Sequence, residues 1–170
     1  IKIKLAKMGA TDVIINAMNY HKKDKEIQHY GCWAISNLSN SDKNDVKLVK
    51  VGADEAIINA LNSYKMDRDI QYRGCKALKN LSASSDNKLS LMNMGAGEAI
   101  INAMNNHKMD EDIQNDCYGA LLNLSASDDN LLSLINMDIG EVIANKMNSH
   151  KMDKNIQYYG CRIFKNLSFS

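Results

Sequence analysis

The sequence contains no proline, only one tryptophan and two phenylalanines, and a formal net charge of just +1 over 170 residues. Without proline, no helical segment carries an internal breaker. No run approaches the roughly 18 consecutive apolar residues that a membrane span needs, and no signal peptide is visible. The near-zero net charge excludes a global field that would draw the chain to nucleic acid or anionic lipid. Any electrostatic preference must therefore come from local clusters of charge.

The four cysteines do not form a disulfide or metal-ligand pattern. Cys32, Cys75 and Cys161 occupy one position of the repeat described next, and Cys117 lies one residue before the equivalent position. Equivalent residues of packed helices are about 8–10 Å apart, which is beyond the Cα separation that a disulfide accepts. We therefore expect small buried thiols, no metal site and no cofactor, and an intracellular compartment, cytoplasmic or nuclear.

What the sequence does contain is a repeat of 43 residues that occurs four times without an insertion. Its clearest element runs from Ile27 to Ser39, returns from Ile70, Ile113 and Ile156, and closes each time on Asn-Leu-Ser. Repeats of roughly 40–47 residues built from helical segments are typical of α-solenoids, in which each unit buries its apolar face on its neighbours. We predict a single all-α array without β-strands. Its units lie at about 1–42, 43–85, 86–128 and 129–170.

Each unit is predicted to contain three helices, of which the first is short. These first helices are expected at 1–8, 45–51, 88–94 and 131–137. Gly9, Gly52 and Gly95 follow the first three of them, as expected where a left-handed residue ends a helix. In the fourth unit Asp138 stands in that place. Because aspartate adopts this conformation less readily, we expect a strained or differently built corner there.

The third helix of each unit is predicted to begin at an aspartate N-cap and to carry the main apolar stripe. The caps are Asp24, Asp67, Asp110 and Asp153. Glycines at Gly31, Gly74 and Gly160 cost a helix about 1 kcal/mol each against alanine, so we expect close helix crossings at these positions. The stripe opposite the apolar one is not core. It consists of Tyr30, Trp33, Asn37, Arg73, Lys76, Asn80, Asp116, Gly119, Asn123, Tyr159, Arg162 and Asn166.

The glycine-alanine corners and the run from Trp33 to Ser39 resemble armadillo repeats, and the resemblance covers the whole chain. It implies a right-handed superhelix whose third helices line a concave groove that holds extended peptides. It also implies that tryptophans separate the ligand's side-chain pockets and that an asparagine ladder bonds its backbone. The ladder consists of Asn37, Asn80, Asn123 and Asn166. Only the first unit keeps tryptophan, however, with Lys76, Gly119 and Arg162 at the equivalent positions. A groove for basic nuclear signals is therefore not expected.

We accordingly predict a protein-interaction scaffold that binds an extended peptide or partner segment in this groove. The predicted binding residues are Tyr30, Trp33, Asn37, Arg73, Lys76, Lys79, Asn80, Asp116, Asn123, Tyr159, Arg162, Lys165 and Asn166. The cations in this set outnumber Asp116, which favours an acidic or phosphorylated peptide. Nucleic acid is not expected, because aromatics do not interleave regularly with the cations. Since no catalytic triad, phosphate loop or carboxylate pair stands out, we predict a non-enzyme.

Two of these predictions have alternatives. The asparagines could instead hydrogen-bond between adjacent third helices. The array could instead be a structural spacer that contacts partners through its ends or convex face, and regulation of a GTPase is a third class that stays open. Apolar residues at both ends of the chain, from Ile1 and up to Phe169, predict further repeats or a docked partner there.

Overall fold

The computed structural model describes residues 8–39 and 42–168, and within these ranges the chain forms α-helices and no strand. The helices are α1 Ala10–Tyr20, α2 Lys25–Leu38, α3 Asp42–Lys50, α4 Ala53–Ser63, α5 Arg68–Leu81, α6 Ser85–Asn93, α7 Ala96–Asn106, α8 Glu111–Leu124, α9 Asp128–Asn136, α10 Ile139–Ser149 and α11 Lys154–Leu167. They form a right-handed α-solenoid of three-helix armadillo-type units, which confirms the predicted fold class. None of the described helices combines the length and apolarity needed to cross a bilayer.

Helices of the same type stack on one another along the array. The third helices α2, α5, α8 and α11 pack side by side, and the first and second helices form parallel rows behind them. The core between the rows is continuous and apolar, with residues such as Ile57, Leu78 and Ile100 almost inaccessible to solvent. Because every third helix is backed by the same core, the outward faces of all four third helices lie on one side of the molecule.

The first helices differ from the prediction in where they begin. Residues 1–7 of the predicted first helix of unit one lie outside the described ranges. The other three begin three residues earlier than predicted, at Asp42, Ser85 and Asp128. The three residues added to each of these helices are polar. One of the three is a buried asparagine whose Nδ2 donates to the end of the preceding third helix, for example from Asn87 to Leu81 O at 3.0 Å. This anchor explains why a polar segment is helical there.

The corners between first and second helices all use a left-handed residue, as predicted. Gly9, Gly52 and Gly95 have φ of 79°, 88° and 94°. Asp138 has φ 54° and ψ 31°, so the fourth corner is built like the other three and not differently. The aspartate is thus held in a conformation that is unfavourable for a residue with a Cβ.

Replacing Asp138 by Gly should raise the free energy of unfolding by about 0.5–1 kcal/mol, because glycine adopts this backbone without steric cost. The Asp138 side chain makes no capping hydrogen bond, so its removal loses no contact of that kind. The matched control is Gly95→Ala, which should destabilise by a similar amount although open space surrounds that Cβ position. Thermal unfolding of both variants checks this, and a lower melting temperature for Asp138→Gly would contradict it.

The third helices are anchored at their N-terminal ends as the sequence predicts. Asp24, Asp67, Asp110 and Asp153 each accept a hydrogen bond from the backbone N–H of the isoleucine three residues later, at 3.0–3.1 Å. The predicted close crossings are also confirmed. A Cβ at Gly74 would lie 2.5 Å from Leu61 Cδ2, and Gly31 and Gly160 crowd Met18 and Met147 in the same way. In units one, two and four the third helix therefore lies directly on the second helix of its own unit.

The cysteines are free thiols, but one is not buried. Cys32, Cys75 and Cys117 are buried, as expected, whereas Cys161 is exposed, because no described helix covers the outer side of α11. The one-residue offset of Cys117 brings its Sγ to 3.4 Å from Cys75 Sγ, closer than equivalent positions would allow. Burial raises the pKa of the Cys32 and Cys117 thiols well above the usual range, so both stay protonated at neutral pH.

Candidate functional site

The predicted binding residues lie on the outward face of the four third helices, which we call the third-helix surface. In α2, Tyr30, Trp33 and Asn37 are exposed. The predicted residues of α5 are half-buried, and in α11 Arg162 and Lys165 are exposed while Tyr159 and Asn166 are half-buried. In α8, Asp116 is buried and Asn123 half-buried. The surface is thus open at units one and four and partly filled at unit three.

An aromatic–cation cluster, formed by Tyr30, Trp33, Tyr72, Arg73 and Lys76, joins the first two units. The Tyr30 and Trp33 rings are stacked with centroids 6.4 Å apart. The guanidinium carbon of Arg73 lies 4.1 Å from the centroid of Trp33 and 4.9 Å from that of Tyr72. Lys76 Nζ lies 5.6 Å from the Tyr72 centroid. Ring faces attract such cations, so the positive charges are held in place on this surface.

Tyr72 is a member of this cluster that the sequence prediction missed. It stands at the repeat position just before the predicted stripe, which His29 occupies in unit one and Tyr158 in unit four. Tyr158 plays a similar part, because its hydroxyl accepts a hydrogen bond from Arg162 Nη1 at 2.9 Å. Because aromatic residues recur at this position in three units, the sequence contained a signal from which Tyr72 and Tyr158 could have been identified.

The third unit corrects two predictions about the surface. Lys79 Nζ contacts Asp116 Oδ1 at 2.9 Å, and Asp116 is only 7% exposed. The stem of Lys79 lies over Gly119, where a Cβ would be 2.9 Å from its Cδ and Cε. Gly119 was predicted to lie outside the core, but it is buried beneath this lysine. Because Lys79 and Asp116 neutralise each other, the positive charge of the surface divides into one region at Arg73 and another at Arg162.

The asparagine ladder makes hydrogen bonds between adjacent third helices. Asn80 Nδ2 donates to Ser39 O at 2.7 Å and to Ser36 O at 3.2 Å. Asn123 Nδ2 donates to Lys79 O at 3.0 Å, and Asn166 Nδ2 donates to Ser125 Oγ at 3.0 Å. These bonds support the structural interpretation for the amide nitrogens. They leave the amide oxygens as the groups with which a ligand's N–H could bond.

Comparisons with known proteins place the chain in a family. The family described as LRRK2 ARM repeat matches residues 6–170. Among curated protein sequences, none matches the chain significantly. Solved structures share the fold at low identity. An engineered protein from the Northeast Structural Genomics Consortium is 19% identical with a TM-score of 0.85, and the match covers 99% of this chain and 66% of that one.

Two further solved structures share the fold. A designed armadillo repeat protein in complex with the peptide (KR)4 is 16% identical with a TM-score of 0.83, and the match covers 98% of this chain and 67% of that one. A chain from a study of the phosphorylation-controlled interaction between cadherin and beta-catenin is 18% identical with a TM-score of 0.80, over 98% of this chain and 32% of that one. Together with the three-helix units and the third-helix surface, the family match shows that the chain belongs to the LRRK2 ARM repeat family.

Proposed function

We propose that the chain is a protein-binding module whose third-helix surface holds an extended, acidic or phosphorylated segment of a partner. The observation that carries this proposal is the position of Arg73, whose guanidinium is held between the rings of Trp33 and Tyr72 at 4.1 and 4.9 Å. A guanidinium that already lies in place loses little freedom when it binds, and its planar fork matches carboxylate and phosphate oxygens. Trp33 and Tyr30 beside it offer flat apolar area to the rest of the segment.

The charge of the predicted binding residues favours an acidic ligand over a basic one. The designed armadillo repeat protein named above was solved with a peptide of alternating lysine and arginine. Here Lys76 and Arg162 occupy two of the positions equivalent to Trp33. They add to Arg73, while the only acidic side chain of the predicted set, Asp116, is paired with Lys79. The third-helix surface should therefore repel a basic peptide and attract an acidic one.

Binding of the peptide (DE)4 tests the proposal, with (KR)4 as the peptide of opposite charge. We expect (DE)4 to bind more tightly, and its affinity to fall when the ionic strength is raised, because exposed charges are screened. The double substitution Arg73→Gln with Lys76→Gln should weaken binding about tenfold, which corresponds to about 1.4 kcal/mol. Fluorescence anisotropy at two salt concentrations measures both effects.

The matched control is Lys47→Gln with Lys50→Gln, which removes the same charge from exposed residues of a first helix. It should leave the affinity for (DE)4 within about twofold, since screened charges far from a ligand contribute little. Tighter binding of (KR)4 than of (DE)4, or equal losses in the two double variants, would refute the proposal. Failure of both peptides to bind would favour the structural spacer.

A further inference from the structure

The first, second and third boundaries are those between units one and two, two and three, and three and four. Along the edge where the third helices begin, side-chain contacts join the units at the first two boundaries, and the third boundary lacks the equivalent contacts. At the first boundary Lys25 Nζ pairs with the N-cap Asp67 at 2.7 Å. At the second, Arg68 Nε pairs with the N-cap Asp110 at 2.7 Å. The equivalent residue at the third boundary is Glu111, and the cap that it faces is Asp153. Two carboxylates thus stand where the other boundaries place a cation beside a carboxylate.

A second contact is also replaced at this boundary. Tyr64 Oη donates to Lys22 O at 3.3 Å, and His107 Nε2 lies 2.9 Å from Lys65 O, so each of these loops is bonded to the loop of the preceding unit. The equivalent His150 bonds instead to Lys146 O of its own helix, through Nδ1 at 3.1 Å. The third boundary is therefore held less closely at its loops than the two before it.

A cavity of about 160 Å³ lies at this boundary, with Glu111, Gln114, Asn115, His150, Asp153 and Asn155 among its lining residues. Lys108 also lines the cavity and offsets one of the two carboxylate charges. Gln114 is 5% exposed, and its Oε1 has no hydrogen-bond partner, although its Nε2 donates to Met104 O and His107 O at 2.9 Å. A buried acceptor without a donor is costly. Asp153 Oδ1 accepts from Asn155 N and Ile156 N at 2.9 and 3.1 Å. The cavity therefore offers the Glu111 carboxylate and Asp153 Oδ2 to a ligand, while Gln114 Oε1 is buried beneath the surface.

We propose that this cavity binds an arginine side chain of a partner protein. A guanidinium carries a delocalised positive charge and five N–H donors in one plane, which suits several acceptors around one cavity. The chain itself shows the interaction at the preceding boundary, where Arg68 bonds Asp110 through Nε at 2.7 Å and Asp112 through Nη2 at 3.1 Å. At the third boundary Asp153 and Asn155 stand at the equivalent positions, and the chain supplies no cation from Glu111. A partner's arginine would take the place of that missing residue.

The cavity takes a different ligand from the one proposed for the third-helix surface. The cavity lies between the N-terminal ends of α8 and α11 and the loop before α11, and it selects a positive group instead of a negative one. A partner that uses both sites would carry an acidic segment and, beside it, an arginine.

Titration of the isotope-labelled protein with N-acetyl-arginine amide tests the proposal by nuclear magnetic resonance. We expect saturable shifts confined to signals of Glu111, Gln114 and Asn155, with a Kd on the order of 1 mM, as for a small ligand with few contacts. N-acetyl-citrulline amide, which has nearly the same shape without the charge, should give no saturable shift. Equal shifts with the two amides, or shifts spread over other acidic residues, would overturn the proposal.

The substitution Glu111→Arg supplies a cation from within the chain and provides the second test. It should abolish binding of N-acetyl-arginine amide, because the new side chain pairs with Asp153 in the manner of Arg68. It should also raise the melting temperature by about 1–3 °C. The matched control is Glu98→Arg, an exposed glutamate that also lies in the first turn of a helix. It should leave binding intact and not raise the melting temperature. Unchanged binding by Glu111→Arg would disprove the assignment.

Discussion

Replacing Gln71 by Leu should lower the free energy of unfolding by about 1–3 kcal/mol, one of the larger effects expected of a single substitution here. Gln71 is 1% exposed, and its Nε2 donates to Leu61 O at 2.8 Å and to Tyr64 O at 3.1 Å. These carbonyls belong to the end of α4 and the residue after it, where a helix has no donors of its own for them. Leucine has a similar volume but cannot donate, so Leu61 O would lose its donor, while Tyr64 O would keep the bond from Asp67 N at 3.0 Å.

The same glutamine occurs in every unit, which supplies a matched control. Gln157 Nε2 donates to Met147 O at 2.9 Å and His150 O at 3.1 Å, but Gln157 is half-buried. Water can reach such a site and replace part of the lost bonding, so Gln157→Leu should cost about 1 kcal/mol or less. Urea unfolding of the two variants measures the difference. Equal losses would show that burial of the carbonyls is not what makes Gln71 important.

Much of the fold could be predicted from the sequence because the same structural pattern occurs in four repeats. The aspartate caps, the glycine corners and the glycine crossings each depend on residues close together in the chain, and their recurrence at one position excludes chance. The starts of the first helices could not be predicted in this way. They depend on Asn44, Asn87 and Asn130, whose amides reach the end of the preceding third helix, and a polar residue in a polar segment gives no signal of that contact.

The candidate site was predicted less completely, for a physical reason. Which residues face outward follows from helical periodicity, so Tyr30, Trp33 and Arg73 lie where the sequence placed them. Which of them touch across a boundary depends on how far each side chain reaches. Lys79 pairs with Asp116, a residue 37 positions away and not the 43 of the repeat. The side chain of Lys79 is long enough to reach a residue that is not at an equivalent position of the next unit. The 43-residue period gives no information about such a contact.

The asparagine ladder shows how one residue can serve both stability and binding. The amide nitrogens of Asn80 and Asn123 join adjacent third helices. Substitution of either by alanine should therefore destabilise the array as well as affect any peptide that bonds to the amide oxygen. For this reason the test of binding proposed above uses Arg73 and Lys76, whose side chains lie over ring faces and make none of the ladder hydrogen bonds.

Replacing Gly74 by Ala should also destabilise the protein, by about 1–3 kcal/mol, although alanine is the better helix former by about 1 kcal/mol. The new Cβ would lie 2.5 Å from Leu61 Cδ2 and 2.9 Å from its Cγ. Leu61 is 2% exposed and packed on all sides by the core, so it has no room to move away. The steric cost of this close crossing should therefore exceed the gain in helix propensity.

A double-mutant cycle with Leu61→Ala separates the two contributions. Leu61→Ala alone should cost about 2–5 kcal/mol because it leaves a cavity in the core. In that background the clash is gone, so Gly74→Ala should become neutral or stabilising by up to about 1 kcal/mol, a reversal of sign. Gly140→Ala is the control without a crossing, since its Cβ would meet only Phe164 Cε1 at 3.9 Å, and it should not destabilise the native chain. If Gly74→Ala cost the same with and without Leu61, the glycine would be required for some other reason than the close approach of the two helices.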